Sequence, residues 1–346
     1  MAGDPLELHR ALTDSALLDD VTAKSETVGL SGLLTDRGHR ARRVRVPGSA
    51  VAEGFRWRLA DFWSSTWWPQ GVAVGDHDGV PLAMASWYAK PRRGREMGAR
   101  ISVVDLREPQ RPTYHHVLLV SPRREGHDIA FDPVRVHAGG IVWAGDRLFV
   151  AATFEGIREF RLSDILRPLP RARGTFGYRH VLPERARFVP PHIRAPERMR
   201  YSFISHETGG DVAATEHELR LVTGEYGAHD HHRLARLRVS DSRSIIDTSH
   251  IPGIPQMQGA VLHDGTWFVS ASRGDKRAGD LWVGTPGNMT RHAGVLPAGP
   301  EDLAVWPERG QLWSLSEYPA RRWMFALDLE RFHDGAQIAR SWSVDG

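Results

Sequence analysis

In-phase repetition constrains this chain more than any other feature. Five stretches share one pattern: an apolar run, a tight turn, a second apolar run ending in small residues, then an aromatic or charged residue at a loop. The paired runs are residues 71–74 and 82–88, 140–143 and 148–154, 201–204 and 219–226, 259–262 and 267–273, and 303–306 and 312–318. Asp76-His77-Asp78-Gly79, Gly145-Asp146, His263-Asp264-Gly265 and residues 307–310 separate four of the pairs; the third is interrupted by a longer excursion through Gly209-Gly210-Asp211. Asp-Gly and Gly-Asp between short apolar runs predict hairpins, because these residues tolerate the positive φ of a tight turn. A third alternating run follows each pair (100–106, 157–162, 234–239, 280–284, 323–329), and a fourth follows the first four (114–120, 178–182, 245–248, 291–296). Four strands and a return to the start is the composition of a propeller blade.

The expected fold is therefore all-β: a five-bladed β-propeller over residues 49–346, preceded by a short helical and irregular extension over 1–48. A pair of β-sandwiches would also give many short strands, but the hairpins would then have no reason to recur in phase. A chain of 346 residues is long for one ordinary core, and a propeller escapes that limit because each blade packs on its neighbours. The fifth repeat lacks an outer strand of its own, and either residues 55–59 or residues 338–344 would supply it. In the extension, residues 5–20 predict a helix, with Asp4 as N-cap, Pro5 in the first turn, and Leu8, Leu12 and Ala16 on one face. Residues 21–46 are poorly patterned and are expected to form a loose arm.

Composition narrows the chemistry. There are no cysteines, which removes disulfides, thiolate nucleophiles and cysteine-type metal sites. The N-terminus has no apolar stretch resembling a signal peptide, and no segment is long enough to span a bilayer, so the expected location is the cytoplasm with no membrane partner. The formal net charge is only +3, and lysine occurs only at Lys24, Lys90 and Lys276 among 45 cations. Arginine-rich stretches such as residues 40–45 could contact phosphate, but arginines interleaved with acids along the whole chain describe a solvated face better. Nucleic acid is not an expected partner.

The repeat also locates a site. In a propeller, the residues leading into the innermost strand and those leaving the second strand meet around the channel. The first group gives Trp68, Gln70, His137, Gln258 and Glu301; the second gives Tyr88, Phe154, Glu225, Tyr226, Arg273, Glu317 and Tyr318. Gln70, His137, Gln258 and Glu301 are assigned one equivalent position in four blades. Such a set could simply satisfy its own buried polar atoms, but convergent polar groups with aromatic walls are the usual composition of a ligand site. His137 is the candidate for acid–base catalysis, since its reference pKa lies near neutrality, with Glu301 as its partner. Gln70, Gln258 and Arg273 would position a substrate, and the tyrosines would wall the pocket. No metal site is assigned; a divalent cation on Glu301, Glu225, Glu317 and Gln70 remains an alternative.

Other signals carry less. His229-Asp230-His231-His232 looks like a metal tract but reads as an exposed loop. Asp76-His77-Asp78-Gly79 resembles the start of a calcium loop without its downstream glutamate, and the hairpin turn accounts for it. No nucleophile elbow, phosphate-binding glycine loop or dinucleotide fingerprint is present, which argues against serine-hydrolase and nucleotide-cofactor chemistry.

Several strings are similar to those of a family of actinobacterial proteins usually labelled only as secreted or hypothetical. They include Trp67-Trp68-Pro69-Gln70-Gly71, Val136-His137-Ala138-Gly139-Gly140, Phe176-Gly177-Tyr178-Arg179, Met257-Gln258-Gly259, Ser272-Arg273-Gly274 and Gly299-Pro300-Glu301-Asp302. The likeness covers most of residues 55–328, and the chain departs from it in carrying no recognisable export signal. In architecture it loosely resembles calcium-dependent lactonases, strictosidine-synthase-like proteins and propeller lyases, which implies small-molecule chemistry by analogy of fold. The expected function is an enzyme of specialised metabolism performing cyclisation, elimination or hydrolysis at the channel mouth without a cofactor. The alternatives are a non-catalytic propeller that binds a ligand or protein, and a metal-dependent hydrolase or lyase. The sequence does not indicate an oligomeric state.

Overall fold

A computed structural model describes residues 7–91, 94, 96–169, 172–191, 198–209 and 218–332. Its strands form antiparallel meanders. The first comprises Trp67–His77, Val80–Ala89, Ala99–Asp105 and Thr113–Glu125, with Asp128–Pro133 added at the outer edge. The second comprises Ile141–Ala144, Arg147–Ala151, Ile157–Arg161 and Val181–Val189. The third comprises Phe203–His206, Glu218–Gly224, Leu234–Ser240 and Arg243–His250. The fourth comprises Met257–His263, Thr266–Ala271, Ala278–Thr285 and Asn288–Ala298. The last comprises Pro300–Trp306, Gln311–Ser316 and Trp323–Asp328. The all-β expectation holds. Predicted hairpin turns appear with the required backbone, positive φ occurring at Asp78 and Gly79, at Gly145, and at Asp264 and Gly265.

The first strands of consecutive meanders lie side by side, and that of the last touches that of the first. Buried apolar residues fill the spaces between meanders: Trp57, Trp87, Val104 and Trp313 share one cluster, and Met84, Ile101, Ile141 and Val150 another. The missing outer strand of the last meander is Val51–Arg56, antiparallel to Trp323–Asp328. The alternative donor, residues 338–344, lies outside the described residues. Pairing an N-terminal strand into the last meander ties the two ends of the chain together, so that neither can separate without breaking a ladder.

The N-terminal segment departs from expectation. Glu7–Leu12 is a strand, not part of a helix, and it lies between the outer strands of the second and third meanders. Leu8 is buried beneath it, whereas Leu12 and Ala16 are exposed, so the predicted apolar face does not exist. Arg10 fixes the strand by a two-pronged bond to the buried Glu159. The helix begins later, at Ser15–Ala23, with Asp14 accepting from the Ala16 backbone nitrogen; the predicted cap at Asp4 and Pro5 lies outside the described residues. Nor is the stretch after it loose. Ser25–Thr27 pairs with Leu166–Pro168, Gly29–Thr35 is a short helix, His39–Arg40 pairs with the first meander's outer strand, and Arg42–Arg43 pairs with Val51–Arg56. Pairings two or three residues long are too short to leave a periodicity in sequence.

Edge pairing also joins the meanders. Residues 118–120 run parallel to 181–183, and with the Glu7–Leu12 bridge this merges the first three meanders into one hydrogen-bonded sheet. The fourth run placed at 178–182 is accordingly shifted: the strand is Val181–Val189, and Tyr178 stands in the turn before it.

Candidate functional site

The innermost strands meet through residues without side chains. A Cβ on Gly71 would fall 2.8 Å from the Gly140 Cα, and one on Gly140 would strike the Ile204 backbone nitrogen. Small residues at this level let the strands close over the axis. The carboxyl of Asp302, fully buried, reaches across them: it accepts the Val72 backbone N–H at 3.2 Å and lies against the backbones of Ile141 and Leu303, so that it touches strands of three meanders. Serine hydroxyls stitch neighbours at the same level, Ser86 to the Ala138 carbonyl (2.6 Å), Ser205 to that of Ala260 and Ser270 to that of Glu301 (2.6 Å).

Above this closed waist lies a cavity of about 680 Å³. Gly71 abuts Gly140 and Gly259 abuts Asp302, so the residues before them stand in level pairs, Gln70 with Gly139 and Gln258 with Glu301. Gly139, not His137, thus stands level with Gln70, which corrects the assigned equivalence. His137 lies further out, brought to the cavity wall by a loop in which Ala138 has φ of 55°. Gln258 and Ser202 line the same cavity.

Glu301 is 2% exposed, faces the cavity and has no side-chain hydrogen-bond partner among the described residues. Burial, with the neighbouring Glu317 and Asp302 charges, pushes its carboxyl well above the ordinary range, which favours the protonated form. Glu317 is held differently: Gln70 donates to it at 3.1 Å and Tyr318 bonds it through its hydroxyl. Burial raises its pKa too, although those bonds oppose the shift. His137 stacks on Tyr88 with ring centroids 4.2 Å apart. More than a third of its surface opens to the cavity, but the surrounding protein and then the Lys90 cation lower its pKa to about 4, leaving the ring neutral at pH 7. No hydrogen bond joins His137 and Glu301, and Glu301 is not among the charges that shift the imidazole.

The remaining predicted residues divide. Trp68, Tyr88, Phe154, Tyr226, Glu317 and Tyr318 line the cavity, with Phe154 and Tyr226 half out at its rim. Glu225 and Arg273 do not line it. Glu225 is buried in a double bond with Arg233 and accepts from the backbone nitrogen of Arg200. Arg273 stands exposed, 3.7 Å from Asp280. In both cases a nearby opposite charge turned the side chain away from the axis. The tract at 229–232 gives stacked imidazoles, and among the described residues no group of three His, Asp or Glu side chains could hold a metal ion.

Sequence reasoning missed Lys90, whose ammonium lies 3.2 Å from the Trp68 ring centroid, and Arg135, Arg200 and Ser202. Ser202 directly precedes the third innermost strand, as Gln258 follows the start of the fourth, and a closer alignment of the degenerate third repeat would have found it. Lys90 carries a signal only in hindsight, two residues past Tyr88. Thr153 also lines the wall, with φ of 50°, a conformation unfavourable for a β-branched residue and common where backbones are held for function.

No protein-family model and no curated protein sequence matches the chain. Among solved structures it is similar to a GH43_1 enzyme from Xanthomonas citri complexed with xylose (11% identity, TM-score 0.41, covering 91% of this chain and 92% of that one). It is also similar to a gluconolactonase from Xanthomonas campestris (12%, 0.37, 85% and 88%) and to Trypanosoma rangeli sialidase in complex with sialic acid (10%, 0.38, 87% and 61%). No helix of the described residues is long and apolar enough to cross a membrane.

Proposed function

We propose that the described residues from 49 to 332 form a five-bladed β-propeller, with those from 7 to 48 as an extension wrapped on its outside. In this reading the protein is a cytoplasmic enzyme that acts by acid–base chemistry on a small molecule of specialised metabolism. The ring of innermost strands and the strand shared between the chain's two ends support the blade count. The observation that carries the enzymatic reading is Glu301, a buried carboxyl aimed into a cavity of ligand size with no side-chain hydrogen-bond partner among the described residues. A buried polar group without a partner costs about 1–3 kcal/mol, a cost that a bound ligand would remove.

Glu301, protonated, donates to a substrate oxygen, either a leaving group or a polarised carbonyl. Neutral His137 takes a proton from a substrate carbon or hydroxyl, or from water. Elimination, cyclisation and hydrolysis all require such a pair. Gln70 and Gln258 orient the polar end of the substrate, Trp68, Tyr88, Tyr226 and Tyr318 cover its apolar part, and no cofactor is required. His137 and Glu301 are in this reading partners in the acid–base chemistry that act on separate substrate atoms.

The test is to incubate purified protein with a small-metabolite extract and follow consumption by mass spectrometry. Wild type should deplete at least one compound that Glu301→Gln leaves intact, with or without a chelator. Binding without consumption would make the protein a ligand-binding module, and loss of activity on chelation would make it metal-dependent.

A further inference from the structure

The string Phe176-Gly177-Tyr178-Arg179 takes no part in the channel mouth. It forms one wall of a second cavity, of about 350 Å³, over the outer edge of the first meander. The opposite wall is the N-terminal segment at Arg37, Gly38 and His39, and Arg58 closes one end. Four guanidinium groups line this cavity, on Arg37, Arg58, Arg100 and Arg179, against two carboxylates behind them, Asp61 and Asp36, the second of which is shared with Arg167 outside the lining. Asp61 bonds Arg58 and Arg100, and Asp36 bonds Arg167 and Arg179. Arg37 makes no ion pair among the described residues, and no carboxylate is part of the lining. The histidines here, His39, His115, His116 and His180, are held below their usual pKa, chiefly by burial, so they add hydrogen-bonding capacity but little charge. The excess of positive charge is therefore fixed by arginines.

The walls are also flat and apolar. Phe176 is a non-glycine residue with φ of 49°, followed by Gly177 with φ of 81°, and its ring stands 39% exposed on the rim. An aromatic residue in the left-handed region is unusual, and such backbone is held against a cost of order 1–3 kcal/mol, most often at binding sites. Tyr178 is anchored behind it, its hydroxyl accepting from Arg100 at 2.9 Å, while Arg100 is buried against the rings of Trp67 and Trp87.

We propose that this second cavity binds a small organic phosphate carrying a flat ring. Arg37, Arg58 and Arg179 face the phosphoryl group, since guanidinium groups match its oxygens in paired hydrogen bonds, and Phe176 stacks on the ring. The site is separate from the channel mouth and stands or falls independently of the enzymatic reading.

The test is calorimetric titration of the full chain with phenyl phosphate at low salt, beside inorganic phosphate and benzyl alcohol. Phenyl phosphate should bind most tightly, and its affinity should fall with added salt. Arg179→Gln should weaken it about tenfold, and Phe176→Ala should weaken it about threefold without changing the affinity for inorganic phosphate. Both side chains are exposed, so both variants should melt as wild type does. Glu301→Gln should leave the binding unchanged. Absence of binding, or binding indifferent to both substitutions, would overturn the proposal. So would binding abolished by Glu301→Gln, which would place the ligand in the channel mouth. Equal affinity for phenyl phosphate and inorganic phosphate would remove the ring from it.

Discussion

Glu301 and Asp302 are neighbours in sequence and both are buried, yet they belong to regions built on opposite principles. At the waist, Asp302 accepts the Val72 backbone N–H at 3.2 Å and lies against the backbones of Ile141 and Leu303. At the mouth, Glu301 faces an open cavity with no donor among the described residues. The pairing of their strand shifts register between Pro300 and Leu303, so that a single step separates a group at the closed waist from one left free for a ligand. The two acids show that burial alone does not identify function. The supply of partners does.

Removing the waist acid should have the largest effect. Asp302→Ala removes the acceptor of the buried Val72 N–H and leaves a void where three innermost strands meet, and should cost about 2–3 kcal/mol in urea unfolding. A variant of wild-type stability would mean that the ring does not depend on this contact. Glu301→Gln should behave oppositely, with turnover down by about a thousandfold and the fold intact. Its effect on stability has a definite sign. The folded-state pKa of Glu301 lies above the reference 4.5, so the native state keeps a proton that the unfolded chain gives up. Stability is therefore lost as pH rises from about 4.5 towards the folded pKa, through the fraction of native carboxyls that must stay protonated or ionise unpaired. Glu301→Gln should flatten that fall and melt no lower than wild type at pH 7; a lower melting point would place Glu301 with Asp302 among the structural acids.

Smaller effects sharpen the boundary of the mouth. His137→Ala should lower turnover about a hundredfold with unchanged unfolding. In wild type, activity should decline as pH falls through about 4, where the imidazole takes up a proton. A limb near 6.5 would show the ring to be freely solvated. The least affected variant should be Arg273→Ala, with activity as in wild type and stability within about 0.5 kcal/mol, because its side chain points to Asp280 and not to the cavity.

Most of the strands were legible because hairpin turns and period-two runs are local signals: Ala99–Asp105, Leu234–Ser240 and Trp323–Asp328 fall within a residue or two of the runs that predicted them. The cavity walls were legible for the same reason, since strand ends fix which residues gather at one end of a ring. Glu225 and Arg273 were misplaced because a strand end fixes where a side chain starts and not where it turns, and Arg233 and Asp280 decided that. The Glu7–Leu12 strand was misread because its pairing partners lie more than 170 positions away in the chain.

By itself the sequence determined the strand repeat, the hairpin turns and the gathering of polar and aromatic residues at the ends of the first two strands of each meander, all written within a few residues of where they act. Only the tertiary structure decided that Gly139 and not His137 stands level with Gln70, that Asp302 meets a backbone donor at the waist while Glu301 faces the cavity, and that the N-terminal segment wraps the outer edges. Those outcomes depend on contacts between residues far apart in the chain, whose partners no local pattern specifies.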